Sequence, residues 1–574
     1  MRYVLAIVFI ATLMAILLDI QTSWVAPLAA LGLLAAVYKL IIYPSLLSPL
    51  AKIPAARWHA RFSPLYSYYI KWANIENRTV DKLHKKYGPV IRLGPNELSV
   101  NCYEGGIKTI YMGNFPKTDW FYNRFGNYGT QNLFTIIDSK EHGQFKRILN
   151  PVFSKSAILT SSALHTTSSA IILDRLIPIL RRSSISSAPI NIHLVNFAYA
   201  IDSYTAFQLG ATLGTNFTDN PTLRDDILHH FFGGRPYMFW DTELPKLTSF
   251  LGRLGCSPVP KWCTTSRLVI ESFFMQQFDA AAKVVDSSQN EATKQPTDPD
   301  WPTVFATARQ GFDQQQPKRN PTGGDAIQVT VPWYNTLCAE GPPHPHRLVI
   351  ASNMLDQIVA AIETIGTALT YVHYELSKRP DLQAALREEL LAASSMTDLL
   401  SADTNTKTGD TNLPTLKTLS PLPFLDAILR ETLRRYPPNG GMQARATPDI
   451  CTIAGYANIP PGVRVQGSAW CLHRNPEVFP DPEEWRPRRW LDASPQELVE
   501  MRKWFWAFGG GARICLGRDF SMASMKLVVA AIYTRFTTEL VDADGIEQDD
   551  GFSGGPVGNK LWLQFREIQD AVQV

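Results

Sequence analysis

The chain has almost no net charge: 55 Lys and Arg stand against 52 Asp and Glu, a formal +3 over 574 residues. A nucleic-acid footprint needs a basic face or stripe, so no nucleic-acid partner is expected. Paired cysteines are lacking too. The seven cysteines, at positions 102, 256, 263, 338, 451, 471 and 515, contain no CxxC. That excludes a zinc ribbon and a disulfide scaffold, and it fits a reducing compartment. No repeat of about 20–50 residues is present, which excludes solenoids and propellers. Nor is there a flavin or nicotinamide fingerprint.

What the chain has in quantity is apolar material, 45% of its residues, ample for a large core. It begins with two apolar runs, residues 3–18 and 24–43, separated by a polar break over 19–23. A spanning helix needs about 20 such residues; the second run suffices and the first is marginal. Residues 1–45 are therefore expected to be a membrane anchor of one or two spans. Lys52, Arg57 and Arg61 follow the runs and only Arg2 precedes them. By the positive-inside bias, residues 46–574 face the cytosol, and the acceptor sequons at Asn77 and Asn216 are expected to stay unmodified.

Residues 90–93 and 97–100 alternate around Gly94-Pro95-Asn96 and predict a β-hairpin. Helical patterns dominate residues 140–280 and recur over 347–378, 424–435 and 518–536, the second stopped by Pro437-Pro438. Residues 286–346, rich in Gln, Pro, Thr, Asp and Gly, predict a polar loop insertion, and 394–412 a shorter one. The fold class is mainly α with small β-sheets: one catalytic domain behind the N-terminal transmembrane anchor.

The most informative stretch is Phe508-Gly509-Gly510-Gly511-Ala512-Arg513-Ile514-Cys515-Leu516-Gly517. Thiolate is the metal-binding form of cysteine and needs stabilisation, since a free thiol titrates near 8.5. Cys515 stands directly ahead of a predicted helix, whose N-terminal N–H groups and partial positive charge face the sulfur. The glycines let backbone approach a flat ligand, and Arg513 supplies a fixed cation suited to a carboxylate. Chance occurrence of F-x-x-G-x-R-x-C-x-G in such a chain is about one in ten thousand.

This loop resembles the haem-binding signature of the cytochrome P-450 superfamily. The resemblance implies that Cys515 is the metal ligand of haem b (iron protoporphyrin IX), with Phe508, Gly511, Arg513 and Gly517 shaping its site. A lone thiolate opposite an open position pushes electron density onto iron and favours O–O cleavage. Three further segments agree with the family. Glu431 and Arg434 form an E-x-x-R on a helix, and Pro487-Arg488-Arg489-Trp490 resembles the P-E-R-F box, with Arg488 where the family has an acid. Arg489 is expected to join Glu431 and Arg434 in a buried structural network. Ala360-Ala361-Ile362-Glu363-Thr364 resembles the A/G-G-x-D/E-T segment, with Ala361 in place of glycine. Thr364 can bond back to the Ala360 carbonyl, and the resemblance makes Glu363 and Thr364 the catalytic pair that relays protons. His142 and Lys146 fill the places of the family's Trp-x-x-x-Arg, and Arg445 falls at another propionate contact.

The implied enzyme is an oxidoreductase, a monooxygenase of the microsomal type. Its style is that of fungal secondary-metabolism members acting on a lipophilic small molecule of terpenoid or polyketide type. Electrons would come from NADPH through a separate NADPH-cytochrome P-450 reductase. The location would be the endoplasmic reticulum membrane, with the catalytic domain in the cytosol. Two alternatives remain open here: an isomerase, dehydratase or peroxygenase on the same fold, and a haem carrier or sensor without turnover. The resemblance places the substrate among the long helix and residues 120–134, 439–443 and 552–556. It also places the aromatic stretch 231–240 at the bilayer.

Overall fold

An apolar helix opens the described part of the chain. Val25–Val37 is α-helical and continues through Tyr38–Leu47 to a stop at Ser48, whose hydroxyl accepts the Leu50 N–H. The span Ala26–Leu47 has 22 residues, a mean hydropathy of 1.8 and no buried part. At 1.5 Å per residue it reaches roughly 33 Å, enough to cross a hydrocarbon layer; it is a candidate anchor. The computed structural model describes residues 25–288, 297–314, 346–393 and 413–568. The first apolar run, most of the 286–346 insertion and the 394–412 loop lie outside them.

The chain divides into two compact units: residues up to 116 with 442–471, and 117–441 with 472 onwards. In the first, Val90–Gly94 and Glu97–Val100 form the expected antiparallel hairpin. Arg464–Gln466 adds a parallel strand and Arg445–Ala446 an antiparallel one. Ile70, Val80, Ile91, Leu93 and Trp470 fill the space beneath. Arg92 is fully buried, and its guanidinium donates to the carbonyls of Pro44, Arg61 and Pro95 at 2.7–2.8 Å. This ties the end of the anchor helix to the sheet. Asn77 is buried, so its sequon is closed to modification in the folded protein.

The second unit is mainly helical. Ile192–Leu209 is buried on every side, and its polar groups are paired inside: Asp202 accepts from the hydroxyls of Thr215 and Thr218 at 2.7 Å. Beside it runs Arg347–Ser377, long and apolar enough for a membrane but 56% buried over its apolar window; it is the core helix of this unit. Part of the predicted polar insertion is ordered structure. Thr303–Gln314 is a helix that buries Val304, Phe305, Ala308 and Phe312 against the core. Its helical spacing was obscured by the polar composition on either side. The helix after Cys515, Arg518–Tyr533, ends before residue 536, where the sequence pattern had carried it. Phe536–Asp542 is instead a strand, paired antiparallel with Trp562–Glu567. The threonines at 537 and 538 suit a pleated strand, and Phe536 is buried against Phe565.

Candidate haem-thiolate site

The cysteine loop is built on left-handed glycines: Gly509 and Gly511 have φ of 65° and 66°, a region that penalises any Cβ. The Cys515 N–H donates to the Phe508 carbonyl at 2.9 Å and closes the bend. Phe508 and Leu516 pack on the core. Gly517 caps the following helix, and its N–H bonds to the sulfur. Burial pushes the Cys515 thiol up, against the pull of that N–H, of Lys146 and of Arg518. The residue is solvent-accessible although protein atoms crowd around it, so it lines a recess and not the outer surface.

Two cations staple this loop. Lys146 donates to the carbonyls of Ala512 and Ile514 at 2.8 and 3.2 Å. It rises from helix Ser139–Phe153, which Asp138 caps by accepting the Glu141 N–H. Arg513 donates to the carbonyls of Ile136 and Ile137 at 2.6 and 2.7 Å. His142, one turn before Lys146, is buried. Two of the expected propionate donors, Lys146 and Arg513, thus also fix backbone. Arg445 belongs to the other unit; there it is buried, donates to the Ala444 carbonyl and lies 4.9 Å from the Tyr111 ring centroid.

The core helix carries a narrow accessible strip. Leu355, Ile358, Ala361, Ile362 and Ile365 are buried, whereas Ala360 is exposed and Glu363 and Thr364 are half-buried. The Thr364 hydroxyl donates to the Ala360 carbonyl at 2.7 Å. Over Ile362–Gly366 the helix widens into a π-type turn, a loosening often found at functional sites.

Glu363 has partners that no linear pattern indicated. Arg235, 128 residues away, donates to its carboxylate at 2.8 Å. Burial pushes the Glu363 carboxyl up, but Arg235, the Ser553 hydroxyl and Arg124 overcome that and hold it below the usual carboxylate range. Arg124 lies over the rings of Trp120, Phe125 and Phe552. Phe121 and Phe125 meet Phe134 edge-on, and Trp120 packs on Phe552. Asn439 accepts from Ser553, and Gly441 donates to the Phe552 carbonyl. Residues 120–134, 439–441 and 552–553 therefore meet near Glu363 as an aromatic cluster.

Behind the cysteine loop lies a fully buried ionic network. Glu431 receives two hydrogen bonds from Arg434, at 2.8 and 2.9 Å, one from Arg489 at 2.9 Å and one from the Trp490 indole at 2.9 Å. All three charged side chains are 3% exposed or less. His473 links this network to the loop: its Nε2 accepts the Trp506 N–H at 2.7 Å, so Nδ1 carries the proton donated to the Arg434 carbonyl. Nothing in the spacing had singled out His473.

Among the described residues no group of three or more His, Cys, Asp or Glu could hold a metal. One thiolate holds iron only if the metal brings its own equatorial ligands, as in a macrocycle. The glycine-lined approach, the accessible Cys515 and the alanines on the core helix all suit a flat group of that kind. The comparisons agree. A family model described as Cytochrome P450 matches residues 337–561. "Cytochrome P450 monooxygenase tpcB" of Cochliobolus heterostrophus is 25% identical over 540 residues, 92% of this chain and 94% of that protein. "N-acetyltryptophan 6-hydroxylase ivoC" of Emericella nidulans is 28% identical over 525 residues, 88% of each. "Fusicoccadiene C-8 hydroxylase" of Alternaria brassicicola is 26% identical over 536 residues, 90% of each. Residues 337–561, which carry the cysteine loop, form a cytochrome P450 domain, and the bound group of that family is a haem held by a cysteine thiolate.

Proposed function

We propose that this oxidoreductase, a P450 monooxygenase, inserts one oxygen atom into a lipophilic intermediate of secondary metabolism, of terpenoid or polyketide type. Electrons would come from NADPH through NADPH-cytochrome P-450 reductase, at the cytosolic face of the endoplasmic reticulum membrane. The observation that carries the reading is the Cys515 loop, with its sulfur turned into a recess and its backbone held by Lys146 and Arg513. When bound, the haem supplies the activation of dioxygen. The protein's own residues do the rest. Cys515 is the ligand, and the Gly517 N–H tempers its charge. His142 and Arg445 are assigned, with Lys146 and Arg513, to the acidic edge of the haem. Thr364 presents its hydroxyl on the accessible strip. Glu363 is assigned the carrying of protons from solvent, and Arg235, whose side chain is 29% exposed, orients its carboxylate. The anchor Ala26–Leu47 supports membrane residence.

The test is spectroscopic and catalytic. Reduced protein with carbon monoxide is expected to show thiolate-haem absorption, and C515S is expected to lose it. NADPH consumption with purified reductase and candidate substrates separates a monooxygenase from an isomerase or a haem carrier. A Thr364→Ala variant is expected to consume NADPH with less product per turnover; full coupling would remove Thr364 from proton delivery.

A further inference from the structure

The accessible strip of the core helix carries an acid that this reading does not use. Asp356 precedes Ala360 by one turn and Thr364 by two, so its side chain shares their face. It is half-buried between the buried Leu355 and Ile358. Among the described residues no hydrogen bond or ion pair is made to its carboxylate. The charge that acts on it is Lys117, whose ammonium lies 4.3 Å from the Phe121 ring centroid and 3.7 Å from that of Phe134 and donates to the Phe134 carbonyl. Asp356 therefore feels the charge that sits on the Phe121 and Phe134 side of the aromatic cluster. Tyr204 ties it to the cysteine side: its hydroxyl, bonded to Gln357 at 2.6 Å, is raised first by burial and then by both Asp356 and Cys515.

A half-buried carboxylate to which no protein group donates is open to a partner that does. Burial pushes the Asp356 carboxyl up to about 7, even against the pull of Lys117. We propose that Asp356 is a specificity-determining residue, whose carboxylate receives an O–H or N–H group of the substrate. The inference rests on the monooxygenase reading and narrows its substrate to a lipophilic skeleton bearing a hydroxyl or N–H donor. Lys117 already brings a positive charge to bear on Asp356, so a neutral donor suits the site better than a second cation. A pure hydrocarbon would leave the carboxylate dry and unpaired, which a site of this kind rejects strongly. Eight residues along the helix set the donor roughly 12 Å from the level of Thr364.

The test uses the full-length haem-loaded protein and matched pairs of an alcohol and its methyl ether, on phenylbutyl, adamantyl and decalin skeletons. Calorimetry is expected to show the alcohols binding about tenfold more tightly than the ethers, the size of a hydrogen bond to a charged group. Asp356→Leu is expected to erase that preference without weakening the ethers. Asp356→Asn, which keeps an acceptor, is expected to retain part of it. Alcohols and ethers that bind alike to the wild type, or a preference that survives in D356L, would overturn the proposal. Carbon-monoxide spectra of the same samples separate the two levels. If thiolate-haem absorption is present and the preference absent, only the Asp356 assignment fails; if the absorption is absent from the wild type, the underlying reading fails.

Discussion

Glu363 differs from a free helix acid because two guanidinium groups and a hydroxyl hold it ionised against burial. Removing Arg235 leaves burial dominant, so in R235Q the Glu363 carboxyl is expected to titrate at higher pH than in the wild type. Infrared titration against an E363Q reference measures this; an unmoved titration would detach Arg235 from the acid. The folded-state value is depressed, so the pair stabilises the protein above the unfolded carboxyl range, and that stability is lost as pH falls. With Arg235 29% exposed, solvent screening limits the loss in R235Q to about 1 kcal/mol at neutral pH. The histidines give a second pH effect at the same scale. Burial, the leading cause in each, lowers His84 to about 4 and His193, His373 and His473 to about 3, from 6.5. The unfolded chain binds protons there that the folded chain does not. Stability is therefore full above about pH 6.5 and falls progressively towards pH 3. Denaturant midpoints at pH 7.5 and 5.5 check the sign: the lower pH is expected to give the lower midpoint.

At the scale of elements, the Glu431 network connects a helix, the proline-rich segment after it and the approach to the cysteine loop. Glu431 and Arg434 share a helix face, and the Pro487-to-Trp490 box brings Arg489 and Trp490 onto the same carboxylate. An R489L variant leaves part of a buried charge unpaired, and a loss of about 3–5 kcal/mol is expected in denaturant unfolding. H473A is expected to cost less, about 1–3 kcal/mol, because it strands the Trp506 N–H; faster haem release from H473A would show that the link reaches the loop. These two cases also mark what a sequence can tell. The hairpin at 90–100, the cysteine bend and the Thr364 back-bond are local, so composition and spacing expressed them. His473, Arg235 and Arg124 act across 33 to 239 residues of chain, and no periodicity encodes such distances. The helix Thr303–Gln314 was hidden for another reason: its apolar face is short and its flanks are polar, so only packing on the core reveals it.

For the whole molecule, the exposed apolar surface is distributed differently from the aromatic runs in the sequence. Residues 231–240 were expected at the bilayer, yet their aromatic side chains are half-buried, with Phe231 and Phe232 packed on the core. The exposed rings lie elsewhere. In the first unit, helix Leu65–Trp72 turns Leu65, Tyr69 and Trp72 outwards at 68%, 54% and 59%, beside Trp58 at 77%. In the second, helix Pro245–Arg253 and the residue after it present Leu247, Phe250 and Leu254. Tyr and Trp with an apolar body and a polar tip favour the membrane–water boundary, and scattered outward residues at helical spacing form a face, not noise. If the candidate anchor of 22 residues holds the protein in a membrane, apolar contact is expected to dominate, since a net charge of +3 offers little to anionic lipid. Salt screens charge within about 3 Å at molar strength but strengthens apolar contacts or leaves them unchanged. Full-length protein in vesicles is therefore expected to stay sedimentable in molar sodium chloride and to be released only by detergent. Brominated lipids are expected to quench tryptophan emission, and to quench it less in a variant with Trp58 and Trp72 both changed to Ser. Release by salt alone, or equal quenching in that variant, would mean that these faces do not lie in the lipid.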